Sequence, residues 1–268
     1  MSSQKIRAIF LDWAGTAVDH GSIAPVHALE NIFHQFGIAV PRPLIRRYMG
    51  LAKKDHVRKL LEEPEVKQQW RALRNAVPQE RDVDAIYAGF EPQMMEVLSA
   101  SVISGVADAV EAMRARGMKI AGTTGYTRSM LDRLEVLAAT QGYRTDRSLA
   151  PEDAGGGRPY PWMCYRLAID LRIYPLSSCV KIGDTESDIQ EGLNAGMWTI
   201  GVTRSGNTVG LSEADWLQLD PREQAKLLAC AEQELRAAGA HYTAETVAHA
   251  LPLLDEIERR ITNQESPK

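Results

Sequence analysis

The stretch Ala8-Ile9-Phe10-Leu11-Asp12-Trp13-Ala14-Gly15-Thr16 constrains the fold more than any other part of the chain. A short apolar run that ends in an acid and passes directly into a Gly-Thr turn predicts a buried parallel strand with Asp12 at its carboxyl end. Open α/β sheets gather their chemistry at that end. On these residues alone, a strand followed by a solvated turn aspartate fits as well. Two later stretches tip the balance. Val180-Lys181-Ile182-Gly183-Asp184-Thr185-Glu186-Ser187-Asp188 predicts a second strand ending in acids, and Ile120-Ala121-Gly122-Thr123-Thr124 predicts a third ending in hydroxyls.

After Thr16 the pattern turns helical, with Val26, Leu29, Ile32, Phe33 and Phe36 at helical spacing, Pro25 near the start and Gly37 past the end. From there to about Ser104 no strand pattern appears; Pro43 to Tyr48, Asp55 to Glu62, Val66 to Asn75 and Val83 to Leu98 read as helices, broken near Gly50, Pro64 and Pro78. An all-helical block there interrupts the strand–helix alternation on both sides and reads as an inserted domain. The expected division is a core of residues 1–20 and 101–268 and a helical domain of residues 21–100. Alternation resumes with a helix from Val106 to Arg116, the strand ending at Thr124, a helix from Thr127 to Ala139, a glycine-rich loop from Ala154 to Pro161 and a helix from Trp162 to Leu171. After the Asp184 strand come a helix, Ile189 to Ala195, and a strand, Trp198 to Val202. The expectation is a doubly wound parallel sheet. From about Glu213 the tail mixes short helices with a loop at Gly239 to Tyr242, and no role is assigned to it.

A net charge of -4 and a pI near 5.9 argue against nucleic acid or an anionic membrane as partner. No signal peptide is expected before Asp12, since the early apolar run is the strand itself, and no stretch approaches the roughly 20 apolar residues of a membrane span. Cys164, Cys179 and Cys230 have neither metal-site spacing nor an even count, which suits a reducing cytoplasm.

Strand-end Asp12, strand-end Thr124 and the later Gly183-Asp184-x-x-x-Asp188, in that order, resemble the haloacid dehalogenase superfamily of phosphotransferases, which implies a Rossmann-like core with a helical cap. By that resemblance Asp12 attacks phosphorus, Thr124 binds phosphoryl oxygens and the late acids hold magnesium. A carboxylate attacking a phosphorus dianion meets repulsion, so the site must supply cations and donors. Asp12, Asp184 and the backbone carbonyl of Ala14 make the hard-oxygen set that Mg2+ prefers, and Asp188 is placed near the ion, through water or by orienting other groups. Asp188 also reads simply as a helix N-terminal charge. Thr124, the amides of the Gly15 turn and Arg158, whose planar fork suits a phosphoryl group, are the candidate donors.

One position departs from the superfamily's phosphatases, which usually carry a second acid two residues after the nucleophile; here that residue is Ala14. A methyl group cannot protonate a leaving oxygen. If carbon is the leaving atom, it needs an electron sink instead, and a lysine that condenses with a carbonyl β to phosphorus supplies one. In the helical block, Met49-Gly50-Leu51-Ala52-Lys53-Lys54-Asp55-His56-Val57 places Lys53 and His56 three apart, on one face of a helix. Together with Asp12-Trp13-Ala14-Gly15-Thr16, Thr123 to Arg128 and Gly157 to Met163, this segment closely resembles the phosphonatase branch of the superfamily. That resemblance implies carbon–phosphorus cleavage of a small phosphonate aldehyde, with Lys53 as the Schiff-base lysine, His56, Met49 and Tyr126 assisting proton transfer or water placement, and a homodimer. An ordinary phosphate-ester phosphatase or sugar-phosphate mutase, and a non-catalytic relative, are the competing readings.

Overall fold

The computed structural model describes residues 5–98 and 100–267. The first strand, β1 (Ala8–Leu11), is followed by six helices: α1 (Ile23–Gln35), α2 (Arg42–Arg47), α3 (Lys53–Glu62), α4 (Pro64–Arg74), α5 (Glu80–Val97) and α6 (Val106–Ala115). The alternating part comprises β2 (Lys119–Thr123), α7 (Arg128–Ala139), β3 (Arg147–Leu149), α8 (Pro151–Ala154), α9 (Trp162–Leu171), β4 (Cys179–Gly183), α10 (Glu186–Asn194) and β5 (Trp198–Val202). The tail adds α11 (Glu213–Gln218), α12 (Pro221–Ala237), β6 (Tyr242–Ala244) and α13 (Leu251–Thr262).

The six strands form one sheet in the order β3-β2-β1-β4-β5-β6, and every pairing is parallel. Because β1 is covered on both sides, each of its positions is apolar and buried. Ile9 and Leu11 join a cluster with Ile120, Val180 and Ile182 that includes Val110 and Met113 of α6, Leu131 and Leu134 of α7 and Leu254 and Ile257 of α13. Ala8 and Phe10 face the other way, onto Met163, Cys164 and Leu167 of α9. Helices therefore cover both faces, and the chain winds outward in two directions from the β1–β4 seam. That seam is the switch point at which a doubly wound sheet opens its crevice.

Helices α1 to α5 make a helical insert between β1 and α6, in which α1 and α3 both pack on α5. Leu29, Phe33, Val57, Leu60, Ile86 and Phe90 continue the same apolar cluster as Ile9 and Leu11, so insert and sheet meet through a shared core. Among the described residues no helix is long and apolar enough to cross a membrane.

The structure departs from the sequence expectation at the sheet edges. Strand β3 is three residues with a charged first residue, too short to show alternation. The expected loop near Tyr242 gives way to β6, which pairs with β5, and α12 spans 17 residues where short helices were expected. The tail thus completes one edge of the sheet.

Candidate active site

Asp12 follows β1 directly, and its amide still donates to the Ile182 carbonyl of β4 at 3.0 Å. Beyond it the chain folds back on itself: the amides of Thr16, Ala17 and Val18 donate to the Trp13 carbonyl at 3.3, 2.8 and 2.9 Å. Ala14 sits in this turn, bridged to Val18. Gly15 takes φ +81°, and a Cβ there would lie 2.3 Å from Oδ2 of Asp184, so the turn can approach the second acid only with glycine at this position. Asp184, at the end of β4, accepts from the Thr16 hydroxyl at 3.0 Å through Oδ1 and from the Asn207 amide at 2.8 Å through Oδ2. Asp188 stands in the first turn of α10, where its Oδ2 accepts from the Thr185 amide at 3.3 Å and its amide donates to the Thr185 hydroxyl at 3.3 Å, a reciprocal cap. The helix-terminal role and the site role thus coincide in one residue.

Asp12, Asp184 and Asp188 are all buried, and each offers an oxygen within 4.8 Å of the others. Their charges are unevenly compensated. Burial pushes Asp188 up, but Arg158 and Lys181 beside it outweigh that and hold it below the usual carboxylate range. Burial, then the negative charges of Asp12 and Asp188, push Asp184 well above that range. Burial likewise raises Asp12 against the pull of Arg158. A buried set of hard carboxylate oxygens short of positive charge on the Asp184 side is what a divalent cation fits, so these residues could hold a metal ion.

Arg158 is buried, and its donors are already engaged by the protein. Nη2 lies 2.6 Å from Oδ1 of Asp12 and donates at 2.7 Å to the Thr123 carbonyl and hydroxyl; Nη1 lies 3.0 Å from Oδ1 of Asp188; Nε donates to Oε2 of Glu191 at 3.0 Å. Its guanidinium ties the three acids Asp12, Asp188 and Glu191 together. Thr124, the expected phosphoryl donor, is buried next to this cluster, with its Oγ1 accepting from the Tyr126 amide at 3.1 Å.

The helical insert supplies the opposite wall. Gly50 has φ +88°, and a Cβ there would lie 2.2 Å from the Ser187 hydroxyl, so the insert presses directly on the turn after Asp184. Lys53 opens α3 and is buried, whereas Lys54 points outward to Glu80 and Asp84. Nζ of Lys53 has Sδ of Met49 at 3.7 Å and the Tyr126 ring centroid at 5.2 Å. Neither is a charge, and among the described residues no carboxylate forms an ion pair with it. Burial therefore prevails over the attraction of Asp12 and, helped by the Arg158 charge, pushes the Lys53 amine down to about 8. His56, one turn along the same helix face, is fully buried; its Nε2 bonds to the Ile45 carbonyl at 2.9 Å while Nδ1 has no partner. If Nε2 is the donor, Nδ1 carries the free lone pair. Burial, then the Lys53 charge, keeps this imidazole well below its ordinary pKa. A cleft of about 990 Å³ between insert and core, lined by Arg46, Met49, Leu51, Thr185, Ser187 and Asn207, shares Met49 and the Thr185 turn with the site.

With this geometry in place, relatives become informative. The haloacid dehalogenase-like hydrolase family model matches residues 6–196. A phosphonoacetaldehyde hydrolase of Bacillus cereus is 42% identical over 96% of this chain and 98% of its own. One of Nitratidesulfovibrio vulgaris is 42% identical over 98% of this chain and 94% of its own. The crystal structure of a phosphonoacetaldehyde hydrolase-like protein from Oleispira antarctica superposes with a TM-score of 0.97 at 36% identity, covering 99% of this chain and 97% of that one. The chain belongs to the haloacid dehalogenase-like hydrolases, and within them to the phosphonoacetaldehyde hydrolase family.

Sequence reasoning assigned no role to Lys181, Glu191, Arg46 or Asn207. Lys181 carried a readable signal, a charge in the middle of an otherwise uncharged strand, Cys179–Gly183. Glu191 follows Asp188 by three residues on α10, hence on the same face. Arg46 and Asn207 are brought together only by the folded chain.

Proposed function

We propose that the protein hydrolyses the carbon–phosphorus bond of phosphonoacetaldehyde to acetaldehyde and phosphate, using Lys53 as the Schiff-base amine and Asp12 as the phosphoryl acceptor. The observation that carries this reading is a buried, unpaired lysine facing a carboxylate at the switch point, with alanine where an ester phosphatase needs its acid. The names of the relatives support the substrate. In this proposal residues 21–100 act as a cap whose closure brings Lys53 to the core.

The neutral Lys53 amine adds to the aldehyde, and loss of water leaves an iminium two carbons from phosphorus. His56, with its free Nδ1, accepts and returns the protons of this step. Asp12 attacks phosphorus; the C–P bonding pair moves into the iminium, giving an enamine on Lys53 and an aspartyl phosphate. Protonation of the enamine carbon and addition of water release acetaldehyde and the free amine, and water cleaves the aspartyl phosphate. Met49 and Tyr126 enclose the amine and keep bulk water from it, which favours its neutral form. Thr124 and the amides after Asp12 bind phosphoryl oxygens, while Arg158 holds Asp12 in line. Asp12, Asp184 and the Ala14 carbonyl would hold Mg2+, with Asp188 next to it; the ion supplies the positive charge that lets a carboxylate approach a dianion. A homodimer and a cytoplasmic location belong to the same proposal.

The test is phosphate release from phosphonoacetaldehyde against p-nitrophenyl phosphate, with borohydride added to trap the iminium. The expected result is turnover of the phosphonate, slow or no ester cleavage, and a two-carbon adduct on Lys53. Vigorous ester hydrolysis without an adduct would establish an ordinary phosphatase instead.

A further inference from the structure

Beneath the site, on the side away from the insert, lies a second set of charges that the proposed reaction does not use. Lys181 and Glu191 are fully buried. Nζ of Lys181 stands 2.9 Å from Oε2 of Glu191 and 3.0 Å from Oδ1 of Asp188, and donates to the Thr123 hydroxyl at 2.7 Å. That hydroxyl in turn donates to Oε2 of Glu191 at 2.9 Å and accepts from Nη2 of Arg158. Glu191 completes the ring by accepting from Nε of Arg158.

Two features make this more than packing. Replacing a buried ion pair by well-packed apolar groups is often neutral or stabilising, so stability alone does not account for a lysine inside β4. The guanidinium of Arg158, planar in itself, keeps one orientation only if each edge of its fork is held. Asp12 and Asp188 take one edge of the guanidinium, and Glu191 takes Nε on the other. A single Glu191 oxygen is shared by Arg158, Lys181 and Thr123, so Lys181 and Thr123 fix the position of the oxygen that orients the Nε edge. Lys181 supplies the second positive charge, which keeps Glu191 from adding a further uncompensated acid beside Asp184.

We propose that Lys181 and Glu191 are a positioning pair that holds Arg158, and through it Asp12, in the geometry for phosphoryl transfer. Neither is among the residues proposed to hold substrate or metal. The inference rests on the proposed two-part chemistry, because it assigns the pair to the Asp12 step and not to the Lys53 step.

The decisive variant is Lys181→Met/Glu191→Leu, which removes both charges together and so leaves neither one buried alone. The expected result is an unfolding temperature close to that of the unaltered enzyme, kcat for phosphate release lower by on the order of 10²-fold, as expected for a misplaced reacting group, KM within about threefold, and undiminished borohydride trapping at Lys53. A folded double variant with full kcat would overturn the proposal, as would equal loss of trapping and turnover, which would mark a general structural defect. Should the double variant fail to fold, Glu191→Gln carries the test. It must lower kcat at least about tenfold with trapping intact, and normal turnover overturns the proposal equally. If the unaltered enzyme neither traps nor cleaves phosphonoacetaldehyde but hydrolyses p-nitrophenyl phosphate, the substrate reading fails, and the kcat comparison on that ester still decides the role of the pair.

Discussion

The two walls of the site are built on opposite electrostatic plans. On the sheet side, Asp12, Asp188, Glu191, Arg158 and Lys181 are charged, buried and mutually bonded, with Arg158 saturated by protein partners. On the insert side, Lys53 and His56 are just as buried but almost unbonded, with only a thioether near Nζ and no partner on Nδ1. Desolvation is opposed on one wall by opposite charges, which hold Asp188 below the usual carboxylate range and pull against the rise at Asp12, and is left to act on the other. A carboxylate that must be aimed needs the first arrangement. An amine meant to lose its proton needs the second.

The sharpest way to break this comparison is to disable one wall at a time. Asp12→Asn removes the proposed acceptor and should abolish phosphate release, with or without saturating Mg2+, yet leave borohydride trapping at Lys53 intact. Lys53→Arg should abolish both, because guanidinium stays protonated and cannot condense. Lys54→Arg, altering an outward-pointing residue paired with Glu80 and Asp84, serves as the control and should keep most activity. Loss of trapping in Asp12→Asn, or C–P cleavage by Lys53→Arg, would show that the walls do not divide the chemistry as proposed.

Asp184→Ala tests the uncompensated acid. It should weaken Mg2+ binding, seen by calorimetric titration, and lower turnover in a way partly restored by excess Mg2+. Wild-type behaviour at low Mg2+ would remove Asp184 from the ligand set. A smaller and graded effect is expected from pH. Since burial pushes Lys53 down to about 8, the amine is mostly protonated below that value and neutral above it. The trapping rate should therefore rise about tenfold per unit below pH 8 and level off above it. A rate flat from pH 6 to 8 would mean that the amine is neutral throughout and that desolvation is stronger than the geometry implies.

How much of this was legible in the sequence differs between the walls. The strand ends were readable because acids and hydroxyls break apolar runs at fixed places, and Lys53 was readable because Ala14 removed the usual acid and sent attention to the insert. The saturation of Arg158 was not: a loop arginine carries no mark of its partners, and Asp12, Asp188 and Glu191 reach it from elements far apart in sequence. The sheet edges escaped for a local reason. The three residues of β3 and of β6 are too few to show a period of two.

The smallest effect concerns the contact between the walls. Arg46 of α2 reaches across to the core, where Nη1 donates to the Gly21 carbonyl at 2.9 Å and to O and Oδ1 of Asn207 at 3.0 and 3.1 Å, and Nη2 donates to the Gly210 carbonyl at 3.0 Å. Asn207 returns a bond from Nδ2 to the Arg46 carbonyl at 2.9 Å, and its own amide is the one that holds Oδ2 of Asp184. The residue that fastens the insert is thus also the one that orients a carboxylate on the sheet side. Arg46→Met keeps the aliphatic stem and removes the fork. Hydrogen bonds from a charged group contribute about 1.5–3 kcal/mol, but this side chain is only partly buried and water can take over some of its contacts. The expected outcome is a KM raised about threefold to tenfold, kcat within about threefold, and a faster loss of the Lys53 adduct precursor when substrate is diluted before borohydride is added. If KM and the dilution kinetics both stay at wild-type values, the Arg46 side chain does not hold the insert to the core, and the two walls are joined by their shared apolar cluster and by the bonds from Ser187 to the Met49 carbonyl and from Asn207 to the Arg46 carbonyl.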